Sequence, residues 1–392
     1  MNIFKETVYP LLLIIQMISC GKNSTEPSIS VPVANDILVD KNATTETANL
    51  FSSMKTNAAR GVMLGQQDAF TGRHVDQGGP DMTDMKMTCG QHPLVVGLDF
   101  MFITDIQNTP GSWFAEQETI IKEQARNCYQ RGQIIHFTWH FRNPITYDWF
   151  SINSDPERQR IAKQCMASIL PGASRHNYYK SVLQKVALVL DELKGSKGEP
   201  IPVIFRPFHE FDGNWFWWGK PYCTAEQFIE NWQFTVTYLR DELDVHNIIY
   251  AFAPDNGFRS EAEYLERYPG DDYVDLVGMD NYSDFESNNI DAAAMKLNII
   301  SNYAKTHNKL AALTECGYRN NPKPHDLYTR YYLTALRTYQ LELSFMMFWV
   351  NNSSNYYVPT PSESTANNFR AFANDERILL EGDIENPYKK QE

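Results

Sequence analysis

Residues 201–210 read IPVIFRPFHE, an apolar run of branched and aromatic residues that ends in Arg206, His209 and Glu210. A short segment that is apolar at consecutive positions, not at alternate ones, reads as a strand buried on both faces. Seven further runs of the same character occur: Gly61–Gln66, Pro93–Asp99, Gln133–His140, Asn247–Pro254, Tyr273–Asn281, Leu310–Cys316 and Ser344–Val350. Between them lie helix-length amphipathic stretches. Phe114–Arg131 carries Ile121, Ala125 and Cys128 at helical spacing and stops at Gly132; Tyr178–Leu193 is followed by Gly195. Thr224 with Gln227 forms a capping-box pattern ahead of Ala225–Leu243. Eight doubly buried strands alternating with helices predict an α/β fold, a single (β/α)8 TIM barrel with long βα loops, over residues 42–392. The longest interval, Phe141–Asn177, follows the third run and is expected to wall the mouth of the barrel.

The 392 residues are 43% hydrophobic, enough for one large core, and no composition shift marks a second domain. A net charge of −13 repels phosphate backbones and excludes a nucleic-acid partner. The 51 aromatic residues, 21 Tyr, 22 Phe and 8 Trp, exceed ordinary core needs, so part of them is expected at a surface or pocket. Residues 1–19 read as a signal peptide: Lys5, an apolar stretch Pro10–Ile18 too short to span a bilayer, then Ser19. Ile18-Ser19-Cys20 resembles a bacterial lipoprotein box, with Cys20 as the lipidated residue and simple secretory cleavage as the alternative. Residues 20–41 then form a flexible tether between membrane and domain, and the location is extracytoplasmic. The five remaining cysteines contain no CxxC, which argues against a zinc ribbon or a dithiol site; one or two disulfides stay open.

Catalytic residues of such barrels sit at the C-terminal strand ends. Two glutamates occupy such ends, Glu210 in the fourth run and Glu315 in LTEC of the seventh, 105 residues later. Buried acids there must be paired or employed, and Arg206 and Arg142 are available for pairing. Two carboxylates meeting at one mouth are what glycosidic cleavage needs, one as proton donor and one as nucleophile or base. Trp139, Trp215, Trp217, Trp218 and Trp349 fall at or beyond the same ends. The Trp215–Trp218 run, set among Asp212, Gly213 and Asn214, is expected to be a sugar-stacking loop. His136 and His140 are too far apart on a strand to share a metal, and HExxH, GxSxG and GxGxxG are absent; neither metal nor cofactor is expected.

Trp139-His140, Arg206-Pro207-Phe208-His209-Glu210, Trp215, Tyr268-Pro269-Gly270-Asp271, Asp280-Asn281-Tyr282, Thr314-Glu315 and Trp349 together resemble glycoside hydrolase family 26, known chiefly for β-mannanases. The resemblance implies Glu210 as acid/base and Glu315 as nucleophile of a retaining hydrolysis. It also implies His140, His209, Trp215, Asp280, Tyr282 and Trp349 around the sugar, with Tyr282 placed to hydrogen-bond Glu315. The implied substrate is a β-mannan-type polysaccharide or oligosaccharide cut internally. The alternatives are a lichenase, a β-1,3-xylanase, a mannobiose-releasing exo-enzyme, or a surface glycan-binding lipoprotein without turnover.

Overall fold

A computed structural model describes residues 38–74, 79 and 81–390. The expected signal peptide, Cys20 and the tether up to residue 37 lie outside the described residues. The strands are β1 Val62–Gln67, β2 Val95–Asp99, β3 Ile134–Thr138, β4 Val203–Arg206, β5 Ile248–Phe252, β6 Leu276–Asn281, β7 Leu310–Cys316, β8 Phe345–Phe348 and a short β9 Ile378–Leu379. All pair in parallel in chain order, and β1 pairs both β2 and β8, so the sheet closes into an eight-stranded barrel; β9 only joins the start of β1. Each expected run overlaps one barrel strand. The observed strands stop short of several run ends, because the last residues of those runs leave the ladder and turn into the mouth.

Six helices bear on the argument: α1 Thr45–Ala58, α2 Asp84–Cys89, α3 Trp113–Arg131, α4 Pro156–Ile169, α5 His176–Glu192 and α6 Ala225–Thr237. The expected capping box is present at α6, where Thr224 and Gln227 satisfy each other's backbone N–H groups. Gly132 ends α3 with φ +78°, a left-handed turn that suits glycine. Gly195 has no such role; α5 is capped at Leu193 in an extended conformation.

Side chains alternate across the strands. Val62, Leu64, Val96, Leu98, Val203 and Phe205 pack outward under the helices. Met63, Val95, Ile134, Ile204, Ile249, Leu276, Leu310 and Phe345 fill the lumen together with Leu50, Phe51 and Met54 of α1, which therefore covers the N-terminal end of the barrel. Packing reaches back to Leu38, which is buried, and Val39 N donates to Asp275 Oδ1 at 2.7 Å, so ordered structure begins ahead of residue 42. With the lower end closed, chemistry is confined to the upper mouth. No described helix is long and apolar enough to cross a membrane. The five described cysteines are all free thiols.

Candidate active site

Inward alternation on β4 carries Arg206 into the lumen below the mouth, where it is fully buried. Its Nη1 donates to Asp280 Oδ2 at 2.5 Å, and its Nη2 donates to Thr138 Oγ1 at 3.1 Å and to Glu315 Oε1. One guanidinium thus joins β3, β4, β6 and β7 and holds two buried carboxylates in a fork that lysine could not reproduce. Thr314 Oγ1 donates to the other oxygen of Asp280 at 2.6 Å. Tyr282, just beyond β6, donates its hydroxyl to Glu315 Oε2 at 3.1 Å, the hydrogen bond expected from the sequence. Glu315 is therefore gripped on both oxygens, by Arg206 and by Tyr282.

Glu210 arrives differently. The chain leaves β4 at Arg206, four residues before Glu210, and both Phe208 and Glu210 adopt left-handed backbone, φ +49° and +51°. Such φ values are unfavourable for L-residues and recur where a site requires them. Glu210 N donates to Ala253 O at 2.9 Å, which ties this turn to the end of β5. Its carboxyl Oε2 accepts the indole N–H of half-buried Trp215 at 2.5 Å.

His140 and His209 stand side by side at the ends of β3 and β4, ring centroids 4.7 Å apart and nearly perpendicular. Asp99, the last residue of β2, fixes His140: Oδ2 lies 2.5 Å from His140 Nδ1, while Oδ1 accepts the His140 backbone N–H at 3.2 Å. With Nδ1 committed, Nε2 is the ring nitrogen left to face the mouth. Trp349, just beyond β8, lies with its ring 5.9 Å from His140. A ring nitrogen of His209 and carboxylate oxygens of Asp280 and Glu315 all lie within 4.8 Å of one another.

The two glutamates differ electrostatically. Burial pushes the Glu210 carboxyl well above the ordinary range, and the negative charges of Asp280, Glu315 and Asp255 add to that; the Trp215 hydrogen bond opposes it only in part. Burial lowers the His209 imidazole well below its ordinary range, reinforced by Arg206, His140 and His136, which keeps it neutral. Arg206 stays charged: burial acts against it, but Asp280 and Glu315 outweigh burial.

Residues 39–334 match the sequence model of glycosyl hydrolase family 26. Among solved structures, GH26C from Muricauda sp. is 41% identical over 91% of this chain and 97% of its own, with a TM-score of 0.88. BoMan26A, a GH26 β-mannanase from Bacteroides ovatus, is 32% identical over 88% of this chain and 98% of its own, TM-score 0.80. The chain belongs to glycosyl hydrolase family 26. A mannan endo-1,4-β-mannosidase of Bifidobacterium adolescentis is 30% identical over 363 residues, 87% of this chain but 35% of that protein. The chain spans about a third to a half of the length of the first curated relatives it matches.

In this family 26 chain His140, His209, Glu210, Trp215, Asp280, Tyr282, Glu315 and Trp349 lie at or just beyond the C-terminal strand ends, but parts of the sequence reading change. Trp139, Trp217 and Trp218 are fully buried and are not a sugar surface. Their indole N–H groups donate to Thr104 Oγ1, Phe141 O and His209 O at 2.9, 2.7 and 2.6 Å, so they build the wall that positions His209. Of the Trp215–Trp218 run only Trp215 keeps substantial exposure. Phe141–Asn177 does border the mouth: Phe150 lies 5.0 Å from His140, and Ile152 N donates to Trp215 O. The Tyr268–Asp271 motif precedes β6 and lies away from the mouth. There Asp271 accepts from Tyr268 and Tyr303 hydroxyls at 2.8 and 3.0 Å, a structural role. Of the candidate ion-pair partners, Arg206 does bind Glu315, whereas Arg142 pairs with Asp105.

The sequence pattern assigns no site role to two residues that are central to the site. Arg206 enters the sequence reading as an ion-pair partner and as part of the Arg206–Glu210 motif, and Asp99 only as the end of a strand run, although both are charged residues at inward positions of strand ends. His209, Asp280 and Glu315 are the described group with metal-ligand geometry. Arg206 already supplies a positive charge to both of its carboxylates.

Proposed function

We propose that the protein is an endo-acting β-1,4-mannanase that hydrolyses mannan, glucomannan or galactomannan with retention of configuration. The observation that carries this reading is the unequal setting of two carboxyls at one barrel mouth. Glu210 is held in its protonated form by burial and neighbouring charge, while Glu315 is ion-paired to Arg206. The mannanase relatives support the substrate class.

In the first step a Glu315 oxygen attacks the anomeric carbon. The glycosidic C–O bond breaks, and the Glu210 proton passes to the departing oxygen. Arg206 and Tyr282 hold Glu315 in line, and Trp215 aims Glu210 through its N–H. In the second step water attacks the glycosyl ester, Glu210 takes its proton, and Glu315 leaves as carboxylate. Two displacements at one carbon restore the original anomer. Trp349 offers a half-buried apolar face to the sugar ring and His140 Nε2 a polar contact.

The test is incubation with linear mannan, galactomannan, lichenan and β-1,3-xylan, followed by product sizing and NMR of the first anomer formed. Mixed-length β-manno-oligosaccharides that appear first as the β-anomer are expected. Cleavage of lichenan or xylan alone, mannobiose as the sole early product, or an α-anomer would each overturn a named part of the reading.

We further propose secretion by residues 1–19 and lipidation of Cys20, which would place the enzyme on an extracytoplasmic membrane face. Metabolic labelling with a fatty acid should mark the protein and be lost in Cys20→Ala; no label overturns the anchor.

A further inference from the structure

Beside the mouth, a cavity of about 400 Å³ is bounded at one end by Asp99, His140 and Trp349 and at the other by Phe102 and the outer surface of α3. Besides the buried Ile121, the α3 residues that reach it are Gln117, Ile120 and Gln124. With Trp113 at the start of the helix they fall at successive intervals of four, three and four residues, so all four share one helical stripe. The four side chains are themselves uncharged, and exposed Glu116 and Glu123 flank them. The amides of Gln117 and Gln124 have no hydrogen-bond partner among the described residues, whereas Trp113 is 52% and Ile120 37% exposed. Large hydrophobic side chains this exposed are few among the described residues, and three of them, Ile106, Trp113 and Ile120, fall within one short stretch of sequence.

The indole is also held in place. Phe102 meets Trp113 edge-on at 5.0 Å and 77°, and Phe114 meets it at 5.2 Å and 83°. Two edge contacts fix the ring while leaving it solvent-exposed. A fixed aromatic face, an aliphatic side chain and two free amides along a neutral stripe match a neutral sugar chain, whose rings stack and whose hydroxyls exchange hydrogen bonds. A charged lipid surface or an acidic peptide would find no complementary group on it.

We propose that the Trp113–Gln117–Ile120–Gln124 stripe is a distal platform that binds β-mannan units remote from the cleavage point. This inference rests on the mannanase reading above. The cavity joins the platform to His140 and Trp349, so one chain can lie on both, and the platform favours long substrates over short ones.

The experiment compares wild type, Trp113→Ala and Trp113→Phe on mannohexaose and on an aryl β-mannobioside that fills only the mouth. Trp113→Ala should raise KM for mannohexaose roughly 3- to 10-fold with kcat unchanged. It should leave the aryl substrate unaffected, and Trp113→Phe should restore most of the loss. Equal KM in all three proteins overturns the platform, and so does an equal loss on both substrates, which is the signature of a structural role. Should Trp113→Ala fail to fold, Gln117→Ala with Ile120→Ala reads out the same difference. A wild type that cleaves aryl mannoside and manno-oligosaccharide while Trp113→Ala matches it sinks the platform alone. A wild type inactive on every β-mannoside sinks the mannanase reading and the platform with it.

Discussion

Replacing Arg206 with methionine keeps the volume of the side chain and removes its charge, which isolates what the guanidinium does. In the native protein it is fully buried and binds Asp280, Glu315 and Thr138. Without it, two buried carboxylates face each other with no counter-charge between them. Removing one partner of a buried ion pair costs about 3–5 kcal/mol, a large share of the roughly 5–15 kcal/mol that holds a domain together. The loss should depend on pH. When both carboxyls are protonated the charge problem disappears, and what remains is the lost hydrogen bonds, about 1 kcal/mol each. Above the ordinary carboxylate range the folded variant would retain protons that its unfolded chain releases. Its stability should therefore fall as pH rises, further than that of the wild type. Urea titrations followed by tryptophan fluorescence near about pH 5 and about pH 8 read this directly, and the deficit is expected to be larger at the higher pH. Hydrolysis should be abolished, because Glu315 loses one of its two anchors. Arg206→Lys keeps the charge without the fork and should fall between the two. A deficit below about 1 kcal/mol at both pH values, or a large deficit that is the same at both, would refute the argument; the second outcome would mean packing and not charge.

Trp215→Phe removes the hydrogen bond that holds the Glu210 carboxyl down, so kcat should drop while the basic limb of the pH–activity profile moves upward; a downward move contradicts the assignment. Wild-type stability should decline between about pH 6.5 and 7.5, below the range in which Lys323, lowered by burial to about 8, acts in the opposite sense. Burial, aided by Asp99 and by Asp212 respectively, raises the carboxyls of Asp68 and Asp255 to about 7. For His246, burial is outweighed by Asp40 and Asp244, which raise it. The folded state therefore holds protons that the unfolded chain gives up in this window. His92, His136 and His209 are lowered and act in the opposite sense, but only below the unfolded histidine value of about 6.5; a flat or rising urea midpoint across the window refutes the prediction. Trp218→Ala should cost about 3–5 kcal/mol and lower Tm, and any rise in KM should come only together with that loss, since Trp218 is fully buried, stacked on Phe216 at 4.5 Å and bonded to His209 O. A raised KM with unchanged Tm would restore the binding role.

The barrel was legible because parallel strands buried on both faces leave continuous apolar runs, and eight of those admit few other folds. The misreading of Trp217 and Trp218 has an equally physical cause. Asp212, Gly213 and Asn214 signal a turn, and turns are usually exposed. Here the turn folds back under Phe141–Asn177, and each indole N–H finds a main-chain carbonyl that lets it be buried. Nothing in local spacing identifies those carbonyls, one of which lies 76 residues away. Arg206 and Asp99 escaped for the same reason, because their partners stand 74 and 41 residues distant and only barrel closure brings them together. His140 and Glu315 were legible because their own positions sufficed; their supports are set by tertiary contact.

Alternation along the strands explains why both glutamates sit where regular geometry fails. On β7, Leu310 and Ala312 point inward and Leu313 outward, so an unbroken strand would send Thr314 in, Glu315 out and Cys316 in. Cys316 instead joins the outer core with Leu313, and the pairing register with β6 and β8 shifts between these positions. The irregularity lets Thr314 reach Asp280 and Glu315 reach Arg206, two adjacent side chains on one face. On β4 the same alternation would bring Phe208 inward beside Glu210. Left-handed backbone at Phe208 sends its ring outward against Trp217, Trp218 and Phe228, and left-handed backbone at Glu210 turns the carboxyl to the Trp215 indole. An ideal barrel offers one inward side chain for every two residues of strand, too few for a nucleophile, an acid and their supports at one level of the mouth. The departures at β4 and β7 supply the additional inward positions, and their cost in backbone strain falls on the segments that the chemistry needs held still.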